Sequence, residues 1–334
     1  MENKTFIIAE LSANHNHKKD VALESIKAAK EAGADAVKIQ TYTADTLTLN
    51  CDNEYFRINQ GTLWDGKTLY ELYQQAYTPW EWHKDLFDYA KSLEIPLFST
   101  PFDKTAVDFL EELNNPIIKI ASFELVDIPL IEYAASKGRP MIMSTGIATL
   151  EEIQEAVDAC LKVGNNDITL LKCTSSYPAP LCEANINTIP DMKKKFGCRV
   201  GLSDHTTGNI CACTAVALGA QVIEKHFIID RSIGGPDAAF SMTKDEFSEM
   251  VKRIREVEEC LGNVSYELSD KMKQNRKFSR SLFASKEIKK GDVFTEDNIR
   301  SVRPGDGCSP KYYAELIGMQ SNKDYNFGDP IIYP

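Results

Sequence analysis

Eight short apolar runs, each closing on polar side chains, alternate with amphipathic stretches of helical period, and this alternation limits the chain more than any other feature. The runs are "TFIIAE", "AVKIQ", "PLFST", "IIKIAS", "PMIMST", "ITLLKCT", "RVGLSD" and "QVIEKHF". Between them lie helical patterns such as "KKDVALESIKAAKEAG", "TLEEIQEAVDACLKVG" and "NICACTAVALGA", several ending on the glycine expected just past a helix. Strands separated by helices form parallel sheets, because a parallel neighbour is reached only through a crossover. Eight such units predict an α/β chain folded as a closed (β/α)8 TIM barrel. No G-x-G-x-x-G follows the first run, which argues against a dinucleotide-binding open sheet. The insertion between the second and third strands, 41 to 82, is long and aromatic, and is read as a loop covering a site or a partner.

The pattern changes after "TKDEFSEMVKRIREVEECLG". Residues 1–262 are assigned to the barrel, 263–280 to a polar linker with some helix, and 281–334 to a small domain of short strands and Gly-Asp turns. A unit that short has a thin core and leans on something larger, its own barrel or a neighbour's. A net charge of -11 disfavours a general affinity for nucleic acid or anionic membrane, both of which need a basic face. No segment has the length and apolarity of a membrane span or the character of a signal peptide, so a cytoplasmic protein is expected. Nine cysteines without a C-x-x-C pair form no disulfide framework, and Cys211 and Cys213 in "CAC" read as small hydrophobes of a helix.

In a barrel of this kind the active site is built where the strands end. Those ends offer Glu10 with Asn14 and His15, Lys38 with Gln40, Ser99 with Thr100, and Lys119 with Ser122 and Glu124. They continue with Ser144, Lys172 with Thr174 and Ser175, Asp204 with His205, and Glu224 with His226. Alternation places Lys38 with Ala36 and Gln40, and Lys119 with Ile117 and Ala121, on the inward face. An inward lysine needs an anion, and Thr100, Ser122, Ser144 and Ser175 supply donors for a phosphate or carboxylate ligand; the alternative is internal pairing with Glu10 or Glu224. His205 and His226 end neighbouring strands, so they offer either two imidazole ligands for a divalent metal or one acid–base histidine beside a structural one. His15 is expected to line the site, His17 to be solvated, and His83 to belong to a helix core.

The segments "IIAELSANHN", "AGADAVKIQTYTADTLTL", "FSTPFD", "KIASFE", "STGIAT", "KCTSSYP", "VGLSDHT" and "VIEKHF" resemble the sialic acid synthase family. The C-terminal segment resembles that family's antifreeze-like (SAF) domain, and "AELSANHN", "KIQTYT" and "GTLWDGKTLYELY" are most similar to its pseudaminic acid branch, with the N-acetylneuraminate or legionaminic acid branch, using another acetamido sugar, as the alternative. The resemblance implies an enzyme condensing phosphoenolpyruvate with the open-chain aldehyde of an acetamido sugar, giving a nine-carbon 2-keto acid and phosphate. It assigns phosphoenolpyruvate to Lys38, Thr100, Lys119, Ser122, Ser144 and Ser175, a serine where sialic acid synthases commonly have asparagine. It gives His205 and His226 to a divalent metal (Mn, with Mg or Co as alternatives), Glu124 to proton management, and Glu10 and Asp237 to the sugar end. Gln40, Tyr177 and Arg303 complete the sugar site, Arg303 reaching in from the partner of a domain-swapped homodimer. Two other readings are a pyruvate aldolase using Lys119 or Lys172 as a Schiff base and a non-catalytic glycan-binding protein.

Overall fold

The structure, a computed structural model, describes residues 4–59, 61 and 64–333. Its strands are β1 (Phe6–Glu10), β2 (Ala36–Thr41), β3 (Leu97–Pro101), β4 (Ile118–Ile120), β5 (Met141–Ser144), β6 (Ile168–Cys173), β7 (Arg199–Asp204) and β8 (Val222–His226). They pair in chain order, all parallel, and β1 closes the cylinder on β8. The eight apolar runs read in the sequence are these eight strands.

Register follows from the two-residue period of a strand. One set of side chains points into the cylinder, where Ile8, Ala36, Phe98, Ile142, Leu171 and Val222 make a dry inner layer. The alternate set, such as Ile7, Val37, Met143 and Ile223, packs against the surrounding helices. Phe98 and Ile8 are fully buried, each worth roughly 1.5–3 kcal/mol of transfer from water. The apolar plug fills the cylinder below the strand ends, so the next inward residue on several strands is polar and faces the mouth. On β1 and β2 that residue pairs Glu10 with Lys38 in register, and on β8 it sets His226 opposite Glu10.

Two glycines let the barrel close around this layer. A Cβ at Gly201 would lie 2.2 Å from the Val222 carbonyl oxygen and 2.7 Å from Leu171, so any larger residue would force β7 away from β8. A Cβ at Gly146, just past β5, would lie 2.1 Å from the Ser175 hydroxyl.

The insertion is not the plain loop expected from its length. It carries helices Ala44–Leu47 and Leu69–Ala76 and leads into Trp80–Ser92. Thr43 and Thr68 start the first two with reciprocal capping boxes, a local signal masked by the aromatic content around them. The nine cysteines are free thiols; Cys211 is buried on helix Ile210–Ala217 and Cys213 is half-buried there. Among the described residues no helix is long and apolar enough to cross a membrane.

The chain divides into two compact units at Gly262. The second contains a short helix, Asp270–Asn275, and the antiparallel pair β9 (Ser281–Ala284) and β10 (Ile299–Val302). Its core consists of eight buried side chains, including Leu282, Ile288, Phe294 and Tyr325, a core as thin as its length requires.

Candidate active site

At the C-terminal end of the barrel a cavity of about 840 Å³ opens above the apolar plug. Its floor is a quartet of buried charges. Lys38 Nζ lies 2.5 Å from Glu10 Oε2 and 3.6 Å from Glu224 Oε1, and Lys119 Nζ lies 3.6 Å from the same Glu224 oxygen. All four side chains are at most 6% exposed. Two lysines facing two carboxyl groups balance the charge in a site shielded from water, although at Glu10 burial outweighs Lys38 and holds that carboxyl above its ordinary value.

The quartet's pKa shifts follow from this packing. Burial opposes the charge of Lys38, but Glu10 and Glu224 outweigh it and hold the ammonium above its ordinary value. Burial likewise opposes the charge on Glu224, and Lys119 and Lys38 overcome it, so this carboxylate stays ionised. Lys119 is the weaker cation: burial holds it below the usual lysine range despite Glu224.

Hydroxyl groups surround the quartet. Lys38 donates to Thr100 Oγ1 at 3.2 Å and Lys119 to Ser144 Oγ at 2.8 Å. The Ser122 and Ser175 hydroxyls bond each other at 2.8 Å, an approach that depends on the missing side chain at Gly146. Thr100 is buried behind Lys38, and the three serines line the cavity. Both readings of the lysines are thus visible together: internal pairing with Glu10 and Glu224, and a shell of donors suited to an oxyanion.

Glu124 stands on the loop after β4 and also lines the cavity. Burial raises its pKa to about 7 in spite of the nearby Lys119, and its Oε2 has no hydrogen-bond partner among the described residues. A carboxyl with a value near neutrality is poised to give and take protons.

His205 and His226 meet at the β7–β8 side, ring centroids 5.4 Å apart and ring planes at 69°. Tyr177 packs on His205 at 4.3 Å, and Phe240 packs on His226 at 5.1 Å. The Thr174 carbonyl, 2.9 Å from His205 Nδ1, can only accept, so Nδ1 carries a proton. Burial opposes a charge on this ring, but Cys173, the same carbonyl and Glu224 outweigh it and hold His205 above the ordinary imidazole value, so Nε2 is open to a cation once its proton is displaced. Burial first, then the charge of His205, holds His226 well below the ordinary imidazole value, and its Nδ1 has no hydrogen-bond partner among the described residues. A neutral imidazole with an unsatisfied buried nitrogen fits a divalent cation. No group of three or more His, Cys, Asp or Glu is placed to hold a metal among the described residues, so the fit is that of two imidazoles completed by water or substrate.

Glu224 Oε1 lies between both lysines and 3.3 Å from the Ser203 hydroxyl, while its Oε2 has no hydrogen-bond partner among the described residues. Three expectations are corrected. Lys172 and Asp204 fall on the outward face of their strands. Lys172 donates to the Cys173 and Thr174 oxygens, and Asp204 pairs with Lys225 at 2.7 Å. His15 does not line the cavity; it is buried against Trp82 and Thr78. His83 is a core residue, with Nε2 2.8 Å from the Thr41 hydroxyl. Gln40, Tyr177 and Asp237 do line the cavity, whereas Arg303 is an exposed residue of the second unit. Ser12, Ser203 and Cys173 are cavity residues that the sequence reading passed over, since small side chains inside apolar runs carry no signal of their own.

A family model described as the NeuB family matches residues 25–266, and one described as the SAF domain matches residues 279–332. The chain belongs to the NeuB family. It is 50% identical to the pseudaminic acid synthase of Campylobacter jejuni over 99% of this chain and 96% of that one. Identity to the pseudaminic acid synthase of Helicobacter pylori is 48%, over 97% and 96% of the two chains. A crystal structure of N-acetylneuraminic acid synthetase from Leptospira borgpetersenii superposes with a TM-score of 0.72 at 33% identity, over 82% of this chain and 90% of that one. As a NeuB-family synthase the protein is an enzyme of the transferase class.

Proposed function

We propose that this NeuB-family enzyme condenses phosphoenolpyruvate with 2,4-diacetamido-2,4,6-trideoxy-L-altrose and water, giving pseudaminic acid and inorganic phosphate. The observation that carries the anionic half is the pair of buried lysines, Lys38 and Lys119, facing seryl hydroxyls at one mouth of the barrel. The sugar is supported by near-full-length identity to relatives named pseudaminic acid synthase.

In this reading Lys38, Lys119, Ser122, Ser144 and Ser175 bind the phosphate and carboxylate of phosphoenolpyruvate, with Thr100 orienting Lys38. Their positive charge steadies the anion as C3 attacks the sugar aldehyde and as phosphate departs. Holding both reactants in one cavity removes much of the entropic cost of their encounter. Glu124 manages the proton of the water that adds at C2, a task matched to its raised pKa. His205 and His226 would hold the divalent cation, which when bound supplies Lewis-acid polarisation of a carbonyl oxygen. Gln40, Tyr177, Glu10 and Asp237 line the sugar side.

The test is phosphate release from phosphoenolpyruvate with three sugars, the diacetamido altrose, N-acetylmannosamine and the legionaminic acid precursor, each with and without Mn. The reading expects release with the first alone, and a nine-carbon 2-keto acid by mass. Release with another sugar only would reassign the branch, and none with any would leave a binding protein. A borohydride-stable adduct with pyruvate on Lys119 would instead support the aldolase; Lys172, turned outward, is a poor candidate for it. The homodimer is tested by complementation: Arg303→Ala should lose activity that a barrel-inactive partner restores.

A further inference from the structure

Ser12 occupies a backbone conformation that favours glycine. Its φ is +45°, in the left-handed region, and its side chain is buried. A residue with a Cβ is strained there, a strain glycine avoids. Serine therefore does not serve the turn; the reason for it lies in its hydroxyl.

That hydroxyl is a junction. It donates a short hydrogen bond to Asp237 Oδ2, which also receives the Ala13 amide at 3.4 Å. It accepts from Gln40 Nε2 at 3.1 Å, and the same Gln40 nitrogen donates to Glu10 Oε1 at 3.1 Å. One chain of bonds thus runs from the lysine–carboxylate floor through Gln40 and Ser12 to Asp237. The loop bearing Asp237 is anchored separately. Asn14 bonds the Phe227 carbonyl and the Ser241 hydroxyl, both at 2.8 Å, and Asn16 bonds the Ile233 carbonyl at 2.9 Å. Removing the Ser12 hydroxyl would release the carboxylate of Asp237 without releasing its backbone.

Charge divides the cavity. The cationic side, with Lys119 and Ser144, suits an anionic substrate, and a carboxylate at Asp237 repels one. Asp237 therefore faces the neutral substrate, whose hydroxyl and amide protons it can accept through Oδ1 while Ser12 occupies Oδ2.

We propose that Ser12 is a positioning residue for the sugar: held in a strained left-handed turn, it fixes the rotamer of Asp237 so that the free carboxylate oxygen meets the acetamido sugar. The proposal rests on the condensation reading above.

The experiment compares wild type, Ser12→Gly, Ser12→Ala, Asp237→Asn and Ser12→Gly/Asp237→Asn by phosphate release with phosphoenolpyruvate and the diacetamido sugar, alongside thermal melts. A hydrogen bond to a charged group typically affects binding by about tenfold to a hundredfold, so Ser12→Gly should lose that much in kcat/KM for the sugar. KM for phosphoenolpyruvate should stay within about twofold, since the lysine side is untouched. Ser12→Gly and Ser12→Ala should show the same kinetic defect, since both lose the bonds to Asp237 and Gln40, and Ser12→Gly should melt higher than Ser12→Ala because only glycine relieves the turn. The double variant should be no worse than Asp237→Asn alone. Wild-type sugar kinetics in Ser12→Gly would overturn the proposal, as would additive losses in the double variant or equal losses for both substrates. An inactive wild type would overturn the condensation reading itself, an outcome that the variants do not mimic.

Discussion

Replacing Glu224 by glutamine removes one charge from a quartet that is neutral only when complete. Its Oε1 is 3.6 Å from both Lys38 and Lys119, and it is the only carboxylate within ion-pair distance of Lys119 among the described residues. At that separation and an effective dielectric of about 20, each pair is worth about 5 kcal/mol of Coulomb energy. Part of this is offset, because the variant no longer buries a carboxylate, and breaking a buried pair from one side generally costs about 3–5 kcal/mol. Glu224→Gln is nearly isosteric and leaves Ser203 a partner, so the loss is electrostatic rather than a packing defect. For a domain of this size that is on the order of 10 °C in Tm. Calorimetry of both proteins across a titration of inorganic phosphate and phosphoenolpyruvate provides the assay. Without added anion the variant should melt lower; with anion it should recover more than wild type gains, because Lys119 is already unpaired and Lys38 keeps only Glu10. A loss below about 1 kcal/mol would show that Glu224 does not balance the lysines. Equal stabilisation of both proteins by phosphate would show that the lysines are not where the anion binds.

Glu124, with its value near 7 against 4.5 when exposed, binds its proton more tightly folded than unfolded. Its contribution is therefore most favourable below about pH 4.5, declines as pH rises towards 7 and is flat above, by about 3 kcal/mol in all. Glu124→Gln should abolish that slope in urea melts between pH 5 and 8 and lower kcat; an unchanged slope would contradict the assignment. Gly201→Ala places a methyl group against the Val222 carbonyl and should destabilise the barrel by more than about 3 kcal/mol, read as a fall in the urea midpoint. His226→Ala should lose Mn retained after gel filtration while its circular dichroism stays native; full retention would remove the histidine from the metal site.

Much of the barrel was legible because the eight apolar runs have a single physical interpretation once helices separate them. Period two then placed Lys38 and Lys119 on the inward face, and the structure finds both buried there. The same alternation turns Lys172 and Asp204 outward, since Leu171 and Ser203 take the inward positions beside them, so a place at a strand end does not alone put a side chain in the mouth. Asp204 follows Leu202 onto the helix side and meets Lys225 there. His15 was drawn to the site by its position after β1, but the left-handed turn at Ser12, Asn16 and His17 carries the chain back beneath Trp82. Asn16 and His17 are of residue types that tolerate this region, whereas serine is not, so the sequence carries no signal for the turn at Ser12. The register that pairs the lysines with Glu224 is offered by the sequence only as an alternative to ligand binding, and for another reason it goes no further. It depends on β8 closing against β1, the longest-range contact in the sheet, and no local pattern encodes it.

That register has a consequence for catalysis. A neutral quartet keeps the buried lysines ionised and in place before any ligand arrives, which solves the problem of storing cations inside a protein. The same pairing competes with the ligand, since an incoming phosphate or carboxylate must draw Lys38 and Lys119 away from Glu10 and Glu224. Stability of the unliganded barrel and affinity for the anion therefore pull in opposite directions on the same two carboxylates. Lys119, with only the more distant pairing to Glu224 and a direct bond to Ser144, is the easier of the two to redirect. Lys38, 2.5 Å from Glu10, is held more firmly, so the first contact with an entering anion should fall to Lys119 and its neighbouring serines.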